Sequence, residues 1–358
     1  MKPFHFILLA TSIILVSIAI IAGIFFSQQQ MDTQSSSSPD VVSETNTSGV
    51  TTEERAIPSE QPEHPDHPVI YVSFVTHNED TFSPNYPNFP QDEEAFWDYR
   101  SRVVSYADML YEMGVTYNYQ SDWTFLLGVK AFDKGTSDTN EKNLLEYLEQ
   151  DLNFSIDPHS HEQGGYNYAD VAYLMDLLGA NPTGIVGGFT AINPKDSKPA
   201  DWEKFWSPIE AATFDYTWAP TILWGGASPG HRNESEVWVS GIWRPASQNV
   251  FLEHDVNSPL PNVGGFETNW DGLALQVERL QNGELDANQM YTQTIILGEH
   301  EITDERIEEY RDNIASYDQL VEDGYIQWVT LQEAVEIWET QYDSYGGIML
   351  YDGTHVSP

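Results

Sequence analysis

From residue 69 onward, short β-rich runs alternate with stretches of helical periodicity, and this alternation constrains the fold more than any other feature. "VIYVSFV" (Val69–Val75) is apolar on both faces, as a strand covered on both sides should read. A helical pattern follows over residues 93–113, with Phe96, Val103, Ala107 and Leu110 on its inner face and Gly114 at its end. "TYNYQ" is a second strand, and Ser121 is placed to cap the helix "DWTFLLGVKAF". "NEKNLLEYLEQDL" reads as an amphipathic helix leading into the strand "NFSID". The pattern continues with the helix "YADVAYLMDLLG", the strands "GIVGGF", "TILWGG" and "VWVSGIW", the helix "GLALQVERLQ" and the strand "YTQTIIL". The helix "TDERIEEYRDNIASYDQLVEDG" ends at Gly324, and "IQWVT" and "LQEAVEIWET" close the series. Strand alternating with helix implies a parallel sheet, and seven or eight such units predict an α/β fold, a distorted (β/α)7-8 barrel.

The amino terminus differs in kind. Ile7–Phe26 carries no charge. At 1.5 Å per residue such a run can cross a hydrocarbon core of roughly 30 Å. Residues 1–27 are therefore expected to be a transmembrane helix acting as a membrane anchor, or a signal that is cleaved. Lys2 on one side and acidic residues on the other place the bulk of the protein outside the cytoplasm. Residues 28–68, rich in Ser, Thr, Glu and Pro, read as a disordered linker. Residues 69–358 then form the barrel, expected to be the catalytic domain.

Fifteen Lys and Arg stand against 56 Asp and Glu, a formal net charge of −41. Such a surface repels phosphate backbones and excludes nucleic acid as a partner. The absence of cysteine removes disulfides, thiolate ligands and a thiol nucleophile, so any metal must be held by His, Asp and Glu.

In a barrel of this kind chemistry collects where strands end at their carboxyl side. His77 and Glu79 sit two apart just past the first strand, with Asp80 next. His159 and His161 sit two apart just past the third, flanked by Asp157 and Glu162. Residues i and i+2 of an extended chain point the same way. Two such pairs can converge on one divalent metal, and imidazoles with carboxylate suit Zn²⁺ best. Such an ion lowers the pKa of its water to about 7 for attack on a polarised carbonyl, and a neighbouring carboxylate or imidazole moves the protons. Glu299 and His300 end a late strand in the same fashion. Trp123, Trp224 and Trp243, near strand ends, are candidates for stacking on sugar rings, and Arg244 for orienting a carboxylate. The Gly-x-Ser-x-Gly around Ser228 is no nucleophile elbow, because Pro229 has no N–H for an oxyanion hole. "DKGTSDTNEKN" lacks the spacing of a calcium loop and reads as a turn.

At these residues the chain resembles the polysaccharide deacetylase superfamily, over residues 69–340. "IYVSFVTHNED" stands where that family has an early strand ending in acidic residues. "IDPHSHE" is similar to its His-Ser/Thr motif, "GIWRPAS" to its Arg-Pro strand, "IILGEHE" to its late His, and "GYIQWVTLQEAVEIW" to its closing strand and helix. The resemblance implies a distorted barrel that removes acetyl groups from a carbohydrate polymer or oligosaccharide with one divalent metal. By position it implies His159 and His161 as ligands, Glu79 or Asp80 to hold the metal or act as base, and His300 as the acid-side histidine; with the converging pairs, the expected metal ligands are His77, Glu79, His159 and His161 and the expected catalytic residues Asp80 and His300. The family's paired aspartates are replaced here by His77-Asn78-Glu79-Asp80, and its second motif histidine falls on Gln163. Two alternatives stand beside deacetylation: a barrel without catalysis that binds glycans, and a metal-dependent enzyme cleaving another carbohydrate bond.

Overall fold

The computed structural model describes residues 65–79, 87–191, 198–225 and 238–351, with the backbone of 356–357. The expected anchor and most of the linker lie outside these residues, as does Ser228. Among the described residues no helix is long and apolar enough to cross a membrane.

Most strands and helices form where the patterns place them, in a mixed α/β arrangement, though the helix expected to run to Gly324 breaks after Ser316 and resumes at Asp318–Glu322. Strand β1 (Ile70–His77) is followed by helix α1 (Glu93–Glu112), β2 (Tyr117–Ser121), α2 (Trp123–Phe132), β3 (Ser155–Pro158) and α3 (Tyr168–Leu177). Then come β4 (Ile185–Val186), β5 (Ile222–Trp224), β6 (Trp238–Ser240), β7 (Ile242–Trp243), β8 (Asn262–Val263) and α4 (Trp270–Gln281). The chain closes with β9 (Tyr291–Ile296), α5 (Asp304–Ser316), β10 (Ile326–Trp328), α6 (Leu331–Gln341) and β11 (Met349–Tyr351). Acidic, amide and threonine caps start the helices. The side chain of Asp92 accepts from Ala95 N, Asn167 and Asp170 form a capping box, and Thr330 and Glu333 form another. Asp122 rather than Ser121 caps α2, accepting from Phe125 N. The stretch expected as one helix from residue 140 is only a turn at Leu144–Glu146 that continues as a π-turn, Tyr147–Asp151.

The main sheet is parallel, in the order β9-β1-β2-β3, with β10 beside the first half of β1. The period of two in β1 sorts its side chains. Ile70, Val72 and Phe74 pack under α1, while Val69, Tyr71 and Val75 enter a second core with Ile222, Trp224, Ile242, Val335 and Trp338. A second sheet runs β4-β5-β8-β7.

The expected closed barrel is not what the ladders form. The two sheets meet through a single parallel bridge, His159 to Gly187, on one side. On the other, Thr294 N donates to Gly265 O and Ile296 N to Thr268 O. The strands of the second sheet have two or three residues each, too short for continuous ladders. One of them also runs against the pattern. Strand β7 is antiparallel to β8, and Gly241, at φ +114, breaks "VWVSGIW" into β6 and β7. A Cβ at residue 241 would lie 2.9 Å from Gly347 O, so only glycine fits this break.

Candidate metal centre

The β1 alternation carries on past the strand end and decides where the polar residues point. His77 and Glu79 continue the side of Val75, facing the space between the two sheets. On β3, Asp157 and His159 share one side, and Ile156 enters the helix-side core. Because β1, β2 and β3 are parallel and adjacent, the two pairs read from sequence arrive side by side.

The Glu79 carboxylate is the centre of the cluster. Its Oε2 lies 2.7 Å from His161 Nε2 and 3.8 Å from His159 Nε2, and its Oε1 lies 3.2 Å from His77 Nε2. Ligand atoms of Glu79, His159 and His161 all fall within 4.8 Å of one another. The rings of His77 and His159 stack with centroids 4.6 Å apart, and that of His161 stands edge-on to His159 at 4.9 Å. His159 is fully buried, and neither ring nitrogen has a hydrogen-bond partner among the described residues.

The electrostatics favour the forms a cation takes. Burial and the neighbouring His77 imidazole hold the His159 pKa down at about 3, so the ring is neutral at physiological pH. Burial alone would push the Glu79 carboxyl up, but the three imidazoles outweigh it and hold it well below the usual carboxylate range. A neutral, buried, unpartnered imidazole beside an ionised carboxylate and a second imidazole fits a divalent cation with nitrogen and oxygen ligands. Gly188 makes room for this arrangement: a Cβ there would lie 2.2 Å from the His159 ring.

Beneath the cluster is a buried polar layer. Asp157, fully buried, accepts from Asn118 Nδ2 at 2.8 Å, Thr183 Oγ1 at 2.8 Å and Ser155 Oγ at 2.9 Å, which locks β3 against β2. Glu299, 5% exposed, accepts from Glu79 N at 3.3 Å. Burial, with Asp122 nearby, pushes its carboxyl up to about 8. Glu299 belongs to the surroundings of the centre although the sequence singled it out only as a strand-end acid. The low frequency of fully buried carboxylates is the signal that a sequence cannot display.

The other expected residues are distributed unevenly. Asp80 lies outside the described residues. His300 is exposed on a turn and shares the lining of a groove of about 550 Å³ with His77, Asn269, Trp270 and Arg306. His161 lines a second groove, of about 300 Å³, with Tyr168, Trp202, Lys204 and Phe205. Trp123 stacks on Tyr166 at 4.5 Å and is 5% exposed, and Trp224 is buried as a wall beside His77, its Nε1 donating to Thr294 Oγ1. Neither offers a free ring face to a sugar.

Trp243 and Arg244 are not brought to the cluster. Trp243 is fully buried, its Nε1 donating to Phe251 O. Arg244 follows the antiparallel strand β7 and so emerges at the opposite end of the sheet. There its guanidinium pairs with Glu339 at 2.6 Å and donates to Pro259 O, just before β8. The oxygens of "DKGTSDTNEKN" are likewise committed: Asp133, Thr136, Asp138 and Thr139 all bind the buried Arg100.

No model of a known protein family matches the chain, and no curated protein is significantly similar to it. Among solved structures, a candidate glycoside hydrolase/deacetylase from Parabacteroides distasonis overlays with a TM-score of 0.43 at 12% identity, covering 80% of each chain. A 4-alpha-glucanotransferase from Thermococcus litoralis overlays with a TM-score of 0.38 at 10% identity, over 75% of this chain and 40% of that one. Neither likeness bears on the chemistry of the site.

Proposed function

We propose that the protein is a metal-dependent hydrolase that removes acyl groups, acetyl foremost, from a carbohydrate outside the cytoplasm. The observation that carries the reading is the convergence of Glu79, His159 and His161, with ligand atoms within 4.8 Å, at the carboxyl ends of β1 and β3, the two parallel strands that flank β2. Carbohydrate as the substrate rests on the sequence resemblance to polysaccharide deacetylases. The location rests on the uncharged run Ile7–Phe26 behind Lys2.

Glu79, His159 and His161 hold the cation, with His77 beside Glu79 as a further imidazole. Zn²⁺ suits two nitrogens and a carboxylate oxygen with a position left open. When bound, such an ion supplies Lewis acidity toward a carbonyl and acidifies a coordinated water. The protein's own groups do the rest. His159 stays neutral because it is buried. Glu79 stays ionised because imidazoles surround it. His300, at the rim of the groove that His77 also lines, is placed to exchange a proton with a leaving group. Glu299 keeps its proton at neutral pH and, being buried, acts on the Glu79 backbone rather than on substrate. Asp80, adjacent in sequence to Glu79, is the proposed base.

The experiment is a screen of zinc-loaded full-length protein against acetylated mono- and oligosaccharides, reading acetate, reducing ends and unsaturated products in parallel. Acetate release that is lost with a chelator and in Glu79→Gln supports the proposal. New reducing ends or unsaturated products without acetate would replace deacetylation by cleavage of another carbohydrate bond. Binding without any product would leave a glycan-binding protein.

A further inference from the structure

We infer that Asn78 is the positioning residue of the centre: through its side chain it holds the His77–Glu79 half of the cluster in register with the His159–His161 half. This rests on the metal-centre reading above.

The argument begins with alternation. Asn78 lies between His77 and Glu79, so it points to the other side of the strand, toward α1. It is fully buried there. An asparagine in that position carries two donors and an acceptor that must find partners. All are used, and on different elements. Its Oδ1 accepts from the Tyr99 hydroxyl on α1. Its Nδ2 donates to Tyr119 OH at 3.0 Å and to Ser121 Oγ at 3.2 Å, both on β2. Its backbone N–H donates to Gln120 O at 3.1 Å. The connection then passes to β3, because Ser121 O accepts from His159 N at 3.0 Å.

One residue therefore ties the end of β1 to α1 and β2, and β2 in turn fixes the residue that starts the His159–His161 pair. The Tyr99 and Tyr119 hydroxyls keep their protons, since burial pushes both pKa values far up, so the donors and acceptors of the set do not change with pH. The strand ladder cannot do this alone. The pairing of β1 with β2 ends at His77–Gln120, and Glu79 lies beyond it. Among the described residues the Asn78 side chain, together with the Glu299 carboxylate that accepts from Glu79 N, fixes the direction in which the chain leaves β1, and so where the Glu79 carboxylate falls. Outer-shell groups of this kind are worth about 10- to 100-fold in metal affinity.

The test uses metal-free full-length protein and Co²⁺ as the probe, with visible absorption reporting affinity and coordination number. Asn78→Ala should bind Co²⁺ about 10- to 100-fold more weakly and give an altered spectrum. Tyr99→Phe, which removes a single hydrogen bond, should lose roughly three- to tenfold. It carries the test alone should Asn78→Ala not fold. Thr139→Ala is the control. It removes a buried hydroxyl that binds Arg100 and the Lys142 carbonyl, so it costs stability and should leave Co²⁺ affinity and spectrum unchanged. Equal affinity in the wild type and both Asn78 and Tyr99 variants overturns the inference. So does an equal loss in Thr139→Ala, which would make the effect one of general destabilisation. A wild type that takes up no Co²⁺ overturns the metal-centre reading itself, a different result from either.

Discussion

In the metal-free state the stability of the protein should depend steeply on pH, and His159 supplies the size of that dependence. In the folded protein its pKa is held at about 3, against an ordinary value of 6.5. The neutral ring is what the fold accommodates, so the folded state binds fewer protons than the unfolded chain at mildly acid pH. Stability from this group is present in full above pH 6.5 and is lost as pH falls toward 3. At pH 5 the unfolded imidazole is protonated and the folded one is not, which amounts to about 2 kcal/mol. The total reaches about 5 kcal/mol once both pKa values are passed. Urea unfolding of chelator-treated protein at pH 8 and pH 5 measures this, with His159→Gln as the reference that cannot titrate. The wild type should lose about 2 kcal/mol more than the variant between the two pH values. An identical loss in both would mean that the ring charges freely in the folded state. The desolvated, unpartnered imidazole on which the site depends would then be absent.

Two other substitutions probe the frame around the centre. Gly188→Ala brings a Cβ to 2.2 Å from the His159 ring at a residue with φ +68, so it should displace the ring and abolish stoichiometric metal binding, measured by calorimetric titration with Zn²⁺. Arg100→Ala leaves the buried Asp133 carboxylate without its cationic partner, with only Gly135 N and Leu144 N donating to it among the described residues, and should cost about 3–5 kcal/mol in urea unfolding, with Zn²⁺ affinity unchanged because Arg100 lies outside the centre.

The parts of the site legible in the sequence were those governed by a strand's period of two. His77 with Glu79, and His159 with His161, are i,i+2 pairs just past apolar runs, and a parallel sheet in which β1 and β3 flank β2 brings both pairs to one end. Long helices with polar caps were legible for a similar local reason. What was not legible depends on pairing between distant segments. Trp243 and Arg244 looked like strand-end residues at the active mouth, but β7 runs antiparallel to its neighbour and delivers Arg244 to the other end. Seven or eight strand signals implied ring closure, whereas the strands from β4 to β8 are too short to continue the ladder. Nothing in the sequence marks Asn78 as more than a departure from the paired aspartates, because its partners, Tyr99, Tyr119 and Ser121, are assembled only by the fold. Glu299 was legible as a strand-end acid beside His300, but nothing local marks it as buried.

The central claim is that a single divalent cation sits among Glu79, His159 and His161. It is tested most directly by the metal content of full-length protein reconstituted with Zn²⁺ and freed of excess, for the wild type beside the double variant His159→Ala/His161→Ala. One equivalent in the wild type and none in a folded double variant is the predicted result. The same content in both proteins, or none in either, would contradict it.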